Sequence, residues 1–275
     1  MRSFLIPFAA LAAGICVAPA FADDAMPWLE DTALLRQTQS DVTAEGLKSV
    51  EAHAGALEKA LAGAPHSIEL ARAAGFVLTD GSADTLLALM TAATSKAHNG
   101  SVQAIADPYP LIGLYLGSYY DEIGRKEDGL RALDAGLAIS ALSSTRPMLI
   151  IERGAALNGL HRSADALADY EDGLKISGVD NQFRAAMMRG RGFALTEMNR
   201  LDEAEAAYRD SLKADPGNAS AENELRYIAK LRGGGARVEG TYKTMKAKVD
   251  ASGQVQGTPV ETPSQAPPAQ EPAKP

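Results

Sequence analysis

The chain has 275 residues, 46% of them hydrophobic, 23% charged and only 5% aromatic. That length can bury one or two cores, and a composition rich in Ala and Leu suits packed helices better than sandwiches or barrels. A formal charge of −8 and a pI near 5.1 oppose nonspecific attraction to phosphate backbones or anionic lipid, so nucleic acid is not an expected partner.

Residues 1–22 carry Arg2, an apolar run through Leu5, Ile6, Phe8, Leu11, Ile15 and Val17, and the small-residue ending Ala20-Phe21-Ala22. This pattern reads as a cleavable secretory signal peptide. An uncleaved anchor fits less well, because Pro7 and Pro19 interrupt a run shorter than the roughly 20 residues of a spanning helix. Cys16 follows Ile15 rather than the small residue of a lipobox. Cleavage removes the single cysteine, which excludes disulfides, thiolate nucleophiles and cysteine metal sites from the mature chain. The expected location is the bacterial periplasm, with secretion as the alternative, and no stable membrane insertion is expected after cleavage.

Residues 23–42 read as an N-terminal extension, and 43–109 as a helical region. From Thr43 to Leu61 the apolar residues Leu47, Val50, Ala54, Leu57 and Leu61 predict one amphipathic helix, ending before Gly63-Ala64-Pro65. A helix pair over Ser67–Leu78 and Ala83–Ala97, separated by Asp80-Gly81-Ser82, predicts a degenerate repeat.

Between 110 and 217 three stretches align at offsets of 37 and 38 residues. Glycine recurs at Gly117, Gly154 and Gly192, followed three residues later by Tyr120, Leu157 and Leu195. Small residues recur at Gly129, Ala166 and Ala204, large ones at Leu133, Tyr170 and Tyr208. Small residues return at Gly136, Gly173 and Ser211, then leucine at Leu137, Leu174 and Leu212. Antiparallel helices approach closely only where a small residue on one faces a large residue on the other, so alternating columns predict helix pairs. The joints Ile123-Gly124-Arg125, Leu160-His161-Arg162 and Met198-Asn199-Arg200 place Gly or Asn where a helix ends in a left-handed residue; His161 suits that position less well. Acids open each second helix and favour its positive dipole end.

These columns resemble tetratricopeptide repeats (TPR), helix-turn-helix units of about 34 residues. The third copy is nearest, with Gly192, Ala204, Tyr208, Leu212 and Asp215-Pro216-Gly217-Asn218. Gly113, Ile150 and Met188 replace the family's tryptophan. The resemblance implies an all-α solenoid of stacked TPR-like repeats, a non-catalytic scaffold whose first helices line a concave groove that receives a partner. That face falls on Leu111, Leu114, Ser118, Asp121 and Glu122, on Met148, Ile151, Ala155 and Asn158, and on Ala186, Arg189, Phe193, Thr196 and Glu197. Partner contacts are expected at Leu114, Ser118, Asp121, Ile151, Asn158, Arg189, Phe193 and Glu197, with core packing an equal reading for Leu114 and Ile151. Ser118 and Ala155 stand where chaperone-binding members of the family carry Asn, so that activity does not transfer.

Downstream, 218–232 predicts a terminal capping helix begun by Asn218, and 233–275 a flexible linker and Pro-rich disordered tail. His53, His66, His98 and His161 form no metal-ligand spacing, and no GxSxG, P-loop or complete GxGxxG is present. No cofactor and no metal are expected, and no enzyme. The expected function is an adaptor for another envelope protein or peptide; a periplasmic ligand carrier or peptidoglycan-binding protein is the alternative.

Overall fold

The computed structural model describes residues 26–79, 103–140 and 145–236 and two short strands at 246–249 and 255–258. The signal peptide expected over 1–22, the helix expected over Ala83–Ala97 and the Pro-rich end of the tail lie outside the described residues. The helical unit falls within Leu11–Arg237; the strands belong to a separate unit that includes Val238–Pro275.

The expected N-terminal extension is a helix. α1 spans Pro27–Glu45, with Pro at its first position, where the missing N–H costs nothing. The single helix expected over Thr43–Leu61 is instead broken twice: Gly46, at φ +88°, ends α1, and a 3-10 segment Leu47–Ala52 leads through His53 into α2, Ala54–Ala73. α2 runs through the expected stop at Gly63-Ala64-Pro65. An interior proline costs about 3 kcal/mol, but Leu57, Leu61, Ala64, Ser67 and Ala71 form one buried stripe on both sides of it. Burial of leucines at about 1.5–3 kcal/mol each outweighs the break. Leu78, expected in a helix, lies in β1, Phe76–Thr79, which pairs in parallel with β2, Gln103–Ala106, in the register Phe76↔Gln103 to Thr79↔Ala106. Phe76 meets Trp28 with ring centroids 6.0 Å apart, so the strand pair is pinned to the start of α1.

Three helix pairs follow. They are α3 (Tyr109–Glu122) with α4 (Lys126–Ile139), α5 (Arg146–Gly159) with α6 (Ser163–Leu174), and α7 (Asn181–Glu197) with α8 (Leu201–Ala214). α9, Ala219–Arg232, closes the stack, and the Asn218 side chain caps it by accepting from the Ala221 N–H at 3.1 Å. From Tyr109 to Tyr120 every residue of α3 except Leu111 is buried, as befits a helix enclosed between α1–α2 and α4–α5. Its ends are tied to the first two helices: the Tyr109 hydroxyl donates to Asp31 at 2.8 Å, and that of Tyr120 to Glu58 at 2.5 Å.

The small and large columns meet as their alternation requires. A methyl group at Gly117 would stand 2.4 Å from Leu133, one at Gly154 2.4 Å from Tyr170, and one at Gly192 2.9 Å from Tyr208. Each joint within a pair turns on a left-handed residue, Gly124 at φ +83°, His161 at +59° and Asn199 at +59°. His161 therefore fills the glycine role that its side chain disfavours. The following arginine N–H reaches back to Tyr120, Leu157 and Leu195 at 2.7, 2.9 and 2.8 Å, which satisfies an otherwise orphaned carbonyl at each helix end.

In the tail, expected to lack structure throughout, β3 (Lys246–Val249) and β4 (Val255–Thr258) pair antiparallel, with Lys246 opposite Thr258 and Val249 opposite Val255.

Candidate functional site: the inner face of the helix pairs

The first helices pack on one another, α3 on α5 and α5 on α7, whereas the second helices of successive pairs do not do so to a comparable extent. The stack therefore closes on the side of α3, α5 and α7 and spreads on the side of α4, α6 and α8, which makes the first helices the inner face. This is the architecture of a TPR-like solenoid.

The residues expected to contact a partner divide into three groups. Leu114 and Ile151 are 3% and 7% exposed, and Leu114 packs with Leu133, Met148, Leu149 and Ala156; their side chains belong to the core. Arg189 was expected to be exposed, but its guanidinium donates to Asp215 at 2.9 Å with 15% of the side chain accessible. Asn218 donates to the same carboxylate oxygen at 2.8 Å, so Arg189 fastens the α8–α9 turn to α7. Phe193 and Glu197 are half-buried.

Ser118, Asp121 and Asn158 come together on the α3–α5 seam. The Ser118 hydroxyl donates to Glu152 at 3.4 Å, and Lys126 donates to Asp121 at 2.7 Å. The Lys126 side chain also lies over Gly159, next to Asn158: a methyl group at Gly159 would stand 2.9 Å from its Nζ. Burial, and then the negative charge of Asp121, push the Glu152 carboxyl up to about 7. Asn158 is 4% exposed, and neither its carboxamide oxygen nor its nitrogen has a hydrogen-bond partner. Further along the face, burial and the nearby Glu197 raise the Glu224 carboxyl. The inner face thus carries more carboxylates than cations, and its cations Lys126 and Arg189 are already paired.

Glu152 was absent from the sequence expectation, as were the arginines that clamp successive pairs. Arg146 and Arg184 donate to the carbonyls of Leu137 and Leu174 at 3.1 and 3.2 Å. Arg153 bridges Asp134 and Asp169 at 2.6 and 2.5 Å, and Arg191 donates to Glu171 at 3.2 Å. These arginines recur at an offset of 38 residues, a signal present in the sequence beside the glycine columns. Among the described residues no group of His, Cys, Asp and Glu could hold a metal ion, and no helix is long and apolar enough to cross a membrane.

No protein-family model matches the chain, and no curated protein does. Among solved structures, the first TPR domain of human RPAP3 is 23% identical with a TM-score of 0.41, over 46% of this chain and 94% of that one. The first TPR of Spaghetti (RPAP3), bound to an HSP90 peptide, is 22% identical with a TM-score of 0.41, over 47% and 97%. The Arabidopsis OM64 TPR domain is 19% identical with a TM-score of 0.39, over 44% and 94%.

Proposed function

We propose that this protein is a non-catalytic adaptor of the bacterial cell envelope, exported by the signal sequence at 1–22, that binds an extended segment of another protein along the inner face of its helix pairs. The observation that carries the reading is Asn158. A buried carboxamide left without partners costs about 1–3 kcal/mol, and native folds leave few such groups unsatisfied. A carboxamide offers one acceptor and one donor side by side, the complement of a peptide unit, so a main chain laid along α5 would satisfy both atoms at once.

The test is photo-crosslinking in cells from position 155, half-buried on the same stripe, with exposed position 226 on α9 as control. The expected result is one protein captured from 155 and not from 226, whose purified form binds the chain at least about tenfold more weakly after Asn158→Ala, the equivalent of one lost hydrogen-bonded contact. Equal capture at both positions, or binding indifferent to Asn158→Ala, would remove the inner face from the reading. N-terminal sequencing of the periplasmic fraction checks export, the expected first residue being Asp23.

A further inference from the structure

Glu152 is the inner-face carboxylate that the fold leaves unbalanced. Asp121 has Lys126 at 2.7 Å and Asp215 has Arg189 at 2.9 Å. Glu152 has only the Ser118 hydroxyl, at the long distance of 3.4 Å, and among the described residues no cation pairs with it. A desolvated carboxylate in that state is costly, and an opposite charge offsets the cost. The column it occupies sharpens the point: two residues before the repeat glycine stand Tyr115 in α3, Glu152 in α5 and Gly190 in α7, so a charge is not what the repeat architecture requires there. Asn158, with both carboxamide atoms unpartnered, lies on the same helix, about 9 Å further along its axis at 1.5 Å per residue. That separation is of the order of a lysine or arginine side chain plus its own peptide unit.

We infer that the α3–α5 seam recognises a basic residue of the bound segment, its ammonium or guanidinium held by Glu152 with Ser118 and Asp121 beside it, while its main chain meets Asn158. The inference rests on the adaptor reading and adds the chemistry of the partner: an extended peptide with a Lys or Arg at one fixed position. The raised affinity of the Glu152 carboxyl for its proton agrees with a site that lacks its counter-charge until the partner arrives.

A positional-scanning library of fluorescent peptides, read by polarisation against the full chain, tests this with three variants. Glu152→Gln keeps the shape and removes the charge, Glu152→Arg reverses it, and Ala155→Arg obstructs the inner stripe. One peptide position should favour Lys or Arg over norleucine by about tenfold, as a charge-assisted hydrogen bond warrants. That preference should vanish in Glu152→Gln and turn to Asp or Glu in Glu152→Arg, with circular dichroism showing that each variant is folded. A basic preference that survives Glu152→Gln would trace to the overall negative charge and overturn the inference. Peptides that bind, are blocked by Ala155→Arg and show no basic position would overturn it while leaving the adaptor reading intact; a library without any binder would overturn both.

Discussion

A methyl group added at Gly154 would stand 2.4 Å from Cζ of Tyr170, and one added at Gly190 2.2 Å from the same atom, whereas one at Gly63 would meet nothing within 4 Å. The Tyr170 ring is fully buried and bounded by two helices, so it has nowhere to move. Gly154→Ala should lower the unfolding free energy by about 2–3 kcal/mol through overpacking. Gly63→Ala should raise it by about 0.5–1 kcal/mol, because alanine loses less backbone freedom in a helix. Urea midpoints of the two variants, taken together, check the sign of each. Glu152 supplies the pH dependence at this scale. Its folded form holds the proton up to about 7 against an ordinary 4.5, so between those values the folded chain keeps a proton that the unfolded chain releases, and stability falls as pH rises through that window. Glu152→Gln should flatten this part of the stability profile and exceed the parent chain in stability above pH 7, as measured by urea unfolding at a series of pH values. The packing role of Gly154 and Tyr170 was legible because small and large residues alternate in aligned columns. Glu152 was not, since its column repeats nothing; it stands out only once α3 and α5 are seen side by side.

Among the elements, the pairs are joined by apolar packing and by arginines that cross from one pair to the next. Arg146 and Arg184 sit in the first turns of α5 and α7 and take the C-terminal carbonyls of α4 and α6, Leu137 and Leu174, groups that a helix cannot satisfy by itself. Arg184→Met should keep the stem's packing and lose the bond, lowering stability by about 1 kcal/mol, with the loss read as a lower thermal midpoint. Arg184→Lys should recover part of it. Periodicity could not show these links, because a long charged side chain on an exposed face reads as solvated until the carbonyl it reaches is placed next to it. The same holds for the N-terminal third. Gly46, Gly63 and Pro65 all read as stops, yet only Gly46 acts as one. The stripe Leu57, Leu61, Ala64 and Ala71 lies on one side of the chain, and tertiary burial carries α2 past Pro65. The strand pair β1–β2 escaped notice because four residues are too few to display an alternation, and its register depends on partners 27 residues apart, Phe76 and Gln103 among them.

For the molecule as a whole, a stack of pairs needs an end. α9 supplies it by placing Ala221 and Ile228, 0% and 1% exposed, against α7 and α8 while Glu222 and Lys230 face solvent. Arg232 ties it down through Asp202 and Glu205 of α8. A chain ending at Gly217 should expose the apolar face beneath, self-associate in sedimentation velocity, and unfold at lower urea than the full chain. The two junctions between the three pairs are also mechanically unlike. At the second, one rigid ring is wedged between the backbones of α5 and α7 and acts as an axle pin. At the first, the aliphatic Leu133 meets Gly117 alone of the repeat glycines, and the position corresponding to Gly190 is filled by a carboxylate. Pulled by its ends in optical tweezers, the spring should yield first between α3–α4 and α5–α6. That is the gap at which Glu152 waits for a cation, so an occupied seam would be a stiffer one.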